Sequence, residues 1–403
     1  MTVEIRPLTQ EEMPRFHHNL STGFSQAPRP ESEDRPQEVR PEWTLCAFED
    51  GELATTYAAF PFTVHMNGHT APMAGVSGVS TLPWHRRRGH LRQIMETDFG
   101  RMHDEGGPAI AILYASMAAI YQRFGYAVVS THLRYHVEPH RIEFAEPVPV
   151  RGRMGSFTRE TVEKVAPVYE AFAAERTGYI VRGELEWQHM AIGYGEQQAV
   201  LVTYEEDGQV LGYLIYWHEN KEREAFYLGG TVQVFVGDFV WLSPAAYQAL
   251  WGYLRRVDLA RRITCFRMPS DDPAKDLFLE PRMLYALQQD GLLARIVTVE
   301  KALTQRGYDI DGRVTFELRD EMAPWNAGRW ELEAGPEGAR VRRTERAPQM
   351  SMPVASLAPV LFGHFAASQG VRMGRVEAND PAALPRWDEL FRTKFPPACA
   401  NGF

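Results

Sequence analysis

The chain reads as a mixed α/β protein of the α+β kind, built from three successive units. Its 403 residues exceed one ordinary domain, since domains average about 150 residues. Strand and helix patterns alternate along the whole length instead of separating into all-β and all-α blocks. The order of elements over Val3–Val137 also recurs, in coarse outline, over Thr161–Met268.

Val3–Leu8 alternates as a strand, and Thr9 with Glu11 and Glu12 opens a helix that runs to Phe24. The proline-rich loop Ala27–Pro41 carries Glu31, Glu33, Asp34 and Glu38, a charge run that is either a plain solvated loop or a cation-attracting one. Trp43–Phe48, Leu53–Met66 and Ala74–Leu82 follow as strands, joined by hairpin turns at Asp50-Gly51 and Asn67-Gly68. The third strand delivers the chain to Pro83, to Arg86, Arg87 and Arg88, and to Gly89. Leu91, Ile94, Met95 and Phe99 then recur at helical spacing. Strand Ala109–Tyr114, a short helix over Ser116–Arg123, and strands Ala127–Val129 and His132–Val137 complete a first unit placed at residues 1–148.

Proline and glycine over Pro147–Gly155 mark the boundary to a second unit, residues 149–290. It opens with a helix over Thr161–Thr177 ending at Gly178, and continues with strands at Ala199–Tyr204, Val210–Trp217, Ala225–Leu228 and Val232–Trp241. Ser243 and Pro244 cap and open a helix with Tyr247, Leu250, Trp251 and Leu254 on one face, and strand Arg262–Met268 closes the unit. The third unit, residues 291–403, has a strand at Leu293–Val299, a helix at Glu300–Arg306, and strands at Arg313–Arg319, Gly328–Ala334 and Ala339–Arg343. Helices at Val354–Phe365 and Pro381–Phe391 complete it.

Cys46, Cys265 and Cys399 are odd in number and far apart, which argues against a disulfide framework. With no apolar segment after Met1 and no run of about 18 apolar residues, a cytoplasmic location is expected, with no membrane partner. A net charge of −9 argues against nucleic acid as a partner and favours cationic ligands. Neither His-Glu-x-x-His nor Cys-x-x-Cys occurs, so no metal is expected. His132 and His136 stand four apart in a strand-like alternation and read as surface histidines.

The chemistry concentrates between Val79 and Leu91. A helix start has unsatisfied N–H groups and the positive end of the helix dipole. A glycine there leaves those groups open to an anion, and three arginines add charge. This is a phosphate site by its residues, although a basic turn alone can be a solvated one. The second unit has Leu242-Ser243-Pro244-Ala245-Ala246 at the corresponding place, without arginine or glycine, and is expected to hold no diphosphate.

The spacing Arg86-x-x-Gly89 resembles the acetyl-CoA signature of the GNAT acetyltransferases, with Leu91 at the position of its last small residue. Together with Ala115-Ser-Met-Ala-Ala-Ile-Tyr-Gln-Arg-Phe-Gly-Tyr126, a signature-less second unit and an aromatic residue at 403, the whole chain resembles the Eis (enhanced intracellular survival) N-acetyltransferases. The resemblance implies two tandem GNAT domains, a C-terminal domain with the sterol carrier protein fold, a homohexamer, and acetyl-CoA-dependent acetylation of amines such as aminoglycosides, polyamines or lysine side chains. By the same resemblance Val79 and Thr81 meet the pantetheine arm, Arg86, Arg87 and Gly89 the diphosphate, with Leu91 and Ser116 bordering the cosubstrate. Tyr121 is then the general acid and the α-carboxylate of Phe403 the base, with Phe24, Glu31, Glu33 and Asp34 on the acceptor side. Gly402 and Gln26 stand where well-studied members carry acids that hold polycations.

These roles suit the reaction: a protonated amine must lose a proton before it attacks a thioester, and the leaving thiolate must gain one. Taken without the resemblance, Tyr121 with Ile120, Phe124 and Tyr126 reads first as packing. Two other functions remain open from the residues: a non-catalytic acyl-CoA or lipid-binding protein, and another tandem-GNAT acyl or aminoacyl transferase.

Overall fold

A computed structural model describes residues 2–26, 39–192, 199–220 and 232–403. The first sheet is built from β1 (Val3–Arg6), β2 (Cys46–Glu49), β3 (Glu52–Met66), β4 (His69–Thr81), β5 (Ile110–Tyr114) and β6 (Ala127–Val128). Asp50-Gly51 and Asn67-Gly68 are left-handed turns, as the hairpins at those positions require. Helix α1 (Met13–Gly23) packs on β3 and β4, and α2 (His90–Asp104) lies on the other face, over Ala74, Val76, Ala111 and Leu113.

Two strands cross the unit boundaries read from the sequence. Thr131–Val137 (β7), expected in the first unit, pairs instead in the second sheet between the strands Ala260–Pro269 and Leu287–Asp290. Leu292–Ile296, expected to open the third unit, inserts between β5 and β6 of the first sheet. A run of apolar residues shows that a strand is buried but not which sheet buries it. The insertion is fixed by Arg295, whose Nη2 donates to both Asp320 carboxylate oxygens at 2.8 Å with both side chains buried.

The second sheet has the order β14-β7-β13-β12-β11-β10-β8, with β8 Arg153–Ser156, β10 Val200–Glu206, β11 Gln209–Asn220, β12 Val232–Trp241, β13 Ala260–Pro269 and β14 Leu287–Asp290. The helix expected over 161–177 is a shorter affair: a 3₁₀ turn at Arg159–Lys164, then Ala166–Ala173 with Pro167 in its first turn. Thr177–Ile180 (β9) is a strand paired with β3. Gly178 does not cap a helix. It lies in that strand at φ +98°, and a Cβ on it would stand 2.7 Å from the Ala398 carbonyl oxygen. The strand expected at Ala225–Leu228 lies outside the described residues. Ser243 caps its helix, Pro244–Arg255, by accepting from the Ala246 N–H at 3.1 Å.

In the third unit a five-stranded sheet, Gly312–Arg319, Gly328–Gly335, Gly338–Arg343, Met350–Pro353 and Glu377–Ala378, is covered by the helices Val354–Phe362 and Leu384–Leu390. Phe316, Leu357, Leu361, Phe362 and Trp387 fill the space between. Their core is continuous with the face of the first sheet that carries Phe60, Phe62 and Val64. The third unit is therefore docked on the first through buried apolar surface, the main favourable term in such packing. No helix among the described residues is long and apolar enough to cross a membrane.

Candidate active site

β4 and β5 run parallel only from Met73–Gly75 against Ile110–Ile112 and then part. Beyond Gly75 no described strand pairs that edge of β4, which leaves backbone N–H and C=O groups facing a gap. The edge is also bent. Ser77 opposes Ala58 and Ser80 opposes Thr56, so Gly78 and Val79 together face Tyr57 in a bulge. Gly78 takes φ +61°, and a Cβ there would lie 2.7 Å from Cζ of Phe16. Val79 and Thr81 thus stand on the free edge, where an extended amide-bearing ligand finds backbone partners.

The gap ends at the basic turn. Arg87 (φ +65°) and Gly89 (φ +86°) are both left-handed, and the first turn of α2 has no side-chain cap. Its N–H groups stay open to an anion. The three arginines differ. Arg88 is withdrawn: its Nη1 donates to both oxygens of buried Glu49 at 2.7 Å, and its Nη2 to the Trp84 carbonyl. Arg86 donates to the Thr81 and Gly23 carbonyls at 3.1 and 3.3 Å. Arg87 is exposed with no hydrogen bond among the described residues. The residues fit a diphosphate, with Arg87 as its free cation.

Under the turn, His85 Nδ1 meets Glu49, and His90 Nε2 lies 3.4 Å from it. The Arg88 guanidinium, then His85, hold the Glu49 carboxyl down to about 2. The ligand atoms of Glu49, His85 and His90 fall within 4.8 Å of one another, a spacing that metal sites share. Arg88 already occupies both carboxylate oxygens, so the cluster anchors the turn as an ion-pair network.

Tyr121, on the short helix Ala118–Gln122, is buried against Tyr126, with ring centroids 5.9 Å apart, in the core that also holds Val76 and Leu113. Burial pushes its phenol up to about 12. Its hydroxyl makes no hydrogen bond among the described residues. Phe403 lies on the opposite face, its ring 4.9 Å from Phe62 and 5.3 Å from Tyr114. A Cβ on Gly75 would meet the Phe403 ring at 3.4 Å. Phe403 therefore covers the point where β4 and β5 part, and the two residues flank one gap from its two sides.

The segment leading to Phe403 is clamped. Ala398 N–H donates to Thr177 at 3.0 Å, and Asn401 Oδ1 accepts from Arg182 Nε at 3.1 Å. Arg182 in turn pairs with Asp238 inside the second unit, both side chains 1% exposed. Asp238 follows the point where β12 and β13 diverge, so the buried Arg182–Asp238 pair lies at the corresponding gap of the second unit. Leu91 packs into the α2 core and Ser116 is exposed in the loop after β5. Phe24 caps α1 beside the turn, 47% exposed. Glu31, Glu33 and Asp34 lie outside the described residues. His132 is buried rather than on the surface. The sequence did not single out Glu49, Gly78, Tyr114 or Arg182. None sits in a motif, and Gly78 alone had a signal, as a glycine inside a strand.

Splayed parallel strands, a bulged free edge and an arginine-glycine helix start define an acetyltransferase of the GNAT class. Models of the GNAT acetyltransferase domain match residues 4–129 and 178–296, and a sterol carrier protein domain matches 299–400. An uncharacterized N-acetyltransferase of Streptomyces griseus is 30% identical over 423 residues, covering all of both chains. N-acetyltransferase Eis of Mycobacterium tuberculosis is 26% identical over 420 residues, again over both full lengths. The crystal structure of Eis1 from Mycobacterium abscessus superposes with a TM-score of 0.82 at 27% identity, covering 99% of this chain and 100% of that one. The chain belongs to the Eis-like N-acetyltransferases.

Proposed function

We propose that this protein transfers the acetyl group of acetyl-CoA to a primary amine at the β4–β5 gap. The observation that carries this is the placement of Tyr121 and Phe403 on opposite faces of the sheet with the gap between them. Acetyl-CoA supplies an activated thioester, bound along Val79 and Thr81 with its diphosphate at Arg87, Gly89 and the α2 amides. The acceptor enters on the Phe403 face, where Phe62 and Tyr114 form an apolar wall.

The Phe403 carboxylate takes the proton from the ammonium group so that the nitrogen can attack the carbonyl carbon. The nitrogen, cationic after its attack, sheds its second proton to solvent as the C–S bond breaks; Tyr121 gives its proton to the sulfur and regains one from solvent, so that one proton is released per transfer. A proton is thus removed on one side and supplied on the other, with no covalent enzyme intermediate. Aminoglycosides, polyamines and lysine side chains are the acceptors that the family likeness implies. The test is thiol release from acetyl-CoA against a panel of these amines, repeated on a chain extended beyond Phe403. Loss of transfer with retained acetyl-CoA binding supports the terminal base. Full activity of the extended chain removes that role, and thiol release with no amine tested removes the activity itself. A non-catalytic acyl-CoA binder would bind without release, and a long-chain transferase would prefer longer acyl-CoAs.

A further inference from the structure

Among the described residues the guanidinium of Arg267, beside Gly402 and Tyr114, has no counter-ion. β13 runs parallel to β12 as far as Cys265. Its pairing with β7 then breaks between Cys265 and Met268, so that Phe266 and Arg267 bulge out. Arg267 is held in the left-handed region at φ +48°, unfavourable for a side-chain-bearing residue. Its guanidinium lies 5.0 Å from the centre of the Tyr114 ring, and its Nη2 would stand 3.1 Å from a Cβ on Gly402. Tyr114 is the same ring that touches Phe403. Arg267 therefore sits at the acceptor side of the gap.

The neighbouring arginines of the interior each have a partner. Arg176 pairs with Asp271, Arg182 with Asp238 and Arg295 with Asp320, while Arg306 donates to a set of backbone carbonyls. Arg267 is half-buried and has neither a hydrogen bond nor an ion pair among the described residues. A half-buried guanidinium that meets the Tyr114 ring but no described anion, on a strained backbone that keeps it there, points to a use. Its charge is felt nearby: burial first, and then Arg267, push buried His132 down to about 4.

We infer that Arg267 determines acceptor specificity, and that the acceptor is an amine carrying an anionic group, which pairs with this guanidinium while the amine faces the gap. The inference rests on the acetyl-transfer reading above. An oxyanion suits the forked donors of arginine, whereas a polycation is repelled by them. The small residue Gly402 leaves the guanidinium room to stand against the chain there.

The test uses the full chain with acetyl-CoA and follows thiol release for matched acceptors: ω-amino carboxylates of increasing length, ω-aminoalkyl phosphonates, the corresponding alkylamines and the corresponding diamines. Wild type is expected to favour an acceptor with an anionic end over the diamine, and the carboxylate and phosphonate arms show which oxyanion is taken. In Arg267→Gln that preference in kcat/KM should fall by about tenfold or more, and in Arg267→Glu it should reverse, with acetyl-CoA binding unchanged. Diamines used as well as amino acids by wild type, or a preference unmoved in a folded Arg267→Gln, overturns the inference while leaving acetyl transfer standing. If the variants do not fold, the wild-type ratios alone decide. No thiol release with any of these acceptors, where the aminoglycoside, polyamine and lysine panel does release thiol, overturns the inference alone; no release with either panel overturns both readings.

Discussion

The Tyr114 hydroxyl donates to the Cys399 carbonyl at 3.2 Å, joining residues 285 positions apart. The same side chain presses its ring against Phe403. One residue at the end of β5 thereby sets both the height of the final segment and the position of its last ring. Tyr114→Phe keeps the ring and removes the hydrogen bond, so it is expected to lower stability by about 1 kcal/mol and to reduce kcat more than it alters the KM for acetyl-CoA. Steady-state kinetics with a denaturation curve checks both.

Tyr121→Phe keeps the packing against Tyr126 and removes the proton donor. Transfer should fall by about 10²–10⁴-fold with acetyl-CoA binding retained, as read by thiol release and calorimetry. The pH dependence has a definite sign. A tyrosine in the unfolded chain ionises near pH 10, whereas the folded residue keeps its proton up to about 12. Tyr121 therefore lowers stability only as pH rises through that interval, and it contributes no falling limb to activity below about pH 10.

Glu49→Gln takes the carboxylate from under the basic turn. Freed from it, Arg88 no longer fixes the start of α2, and the expected result is a several-fold rise in the KM for acetyl-CoA with kcat little changed. The native carboxyl is held down to about 2, against about 4.3 in an unfolded chain. Its stabilising share is present above about pH 4.3 and is lost as pH falls through about 2. Acid unfolding of wild type should be steeper over that window than that of the variant.

Gly78→Ala places a methyl group where φ is +61° and where Cζ of Phe16 would be 2.7 Å away. The left-handed conformation alone costs about 1–2 kcal/mol, and the contact adds to it. Chemical denaturation should show at least that loss. Where the variant folds, the bulge relaxes and acetyl-CoA binding weakens.

The geometry of the basic turn was legible because its requirements are local: a strand end, a glycine with left-handed backbone and a helix start lie within a dozen residues, while Tyr121 and Phe403 were singled out by the family likeness alone. The mixed α/β class, the hairpin turns and the Ser243 cap were legible for the same reason. The membership of β7 and of the Leu292–Ile296 strand was not, because an apolar strand states that it is buried without stating against what. The division of labour among Arg86, Arg87 and Arg88 was hidden too. It depends on Glu49, which is some forty positions upstream and becomes buried only when β2 pairs with β3.

What the sequence by itself determined was the chemistry available: one basic, glycine-ended helix start, one tyrosine after β5 and an aromatic residue at position 403. Only the tertiary structure set Tyr121 and Phe403 on the two faces of one sheet. The divergence of β4 from β5 opens the gap, and the core shared by the first and third units carries the final segment to it. Long-range packing also set the guanidinium of Arg267 against Tyr114 at the end of β5. Neither the strand pairing nor that contact leaves a mark in the local pattern of residues.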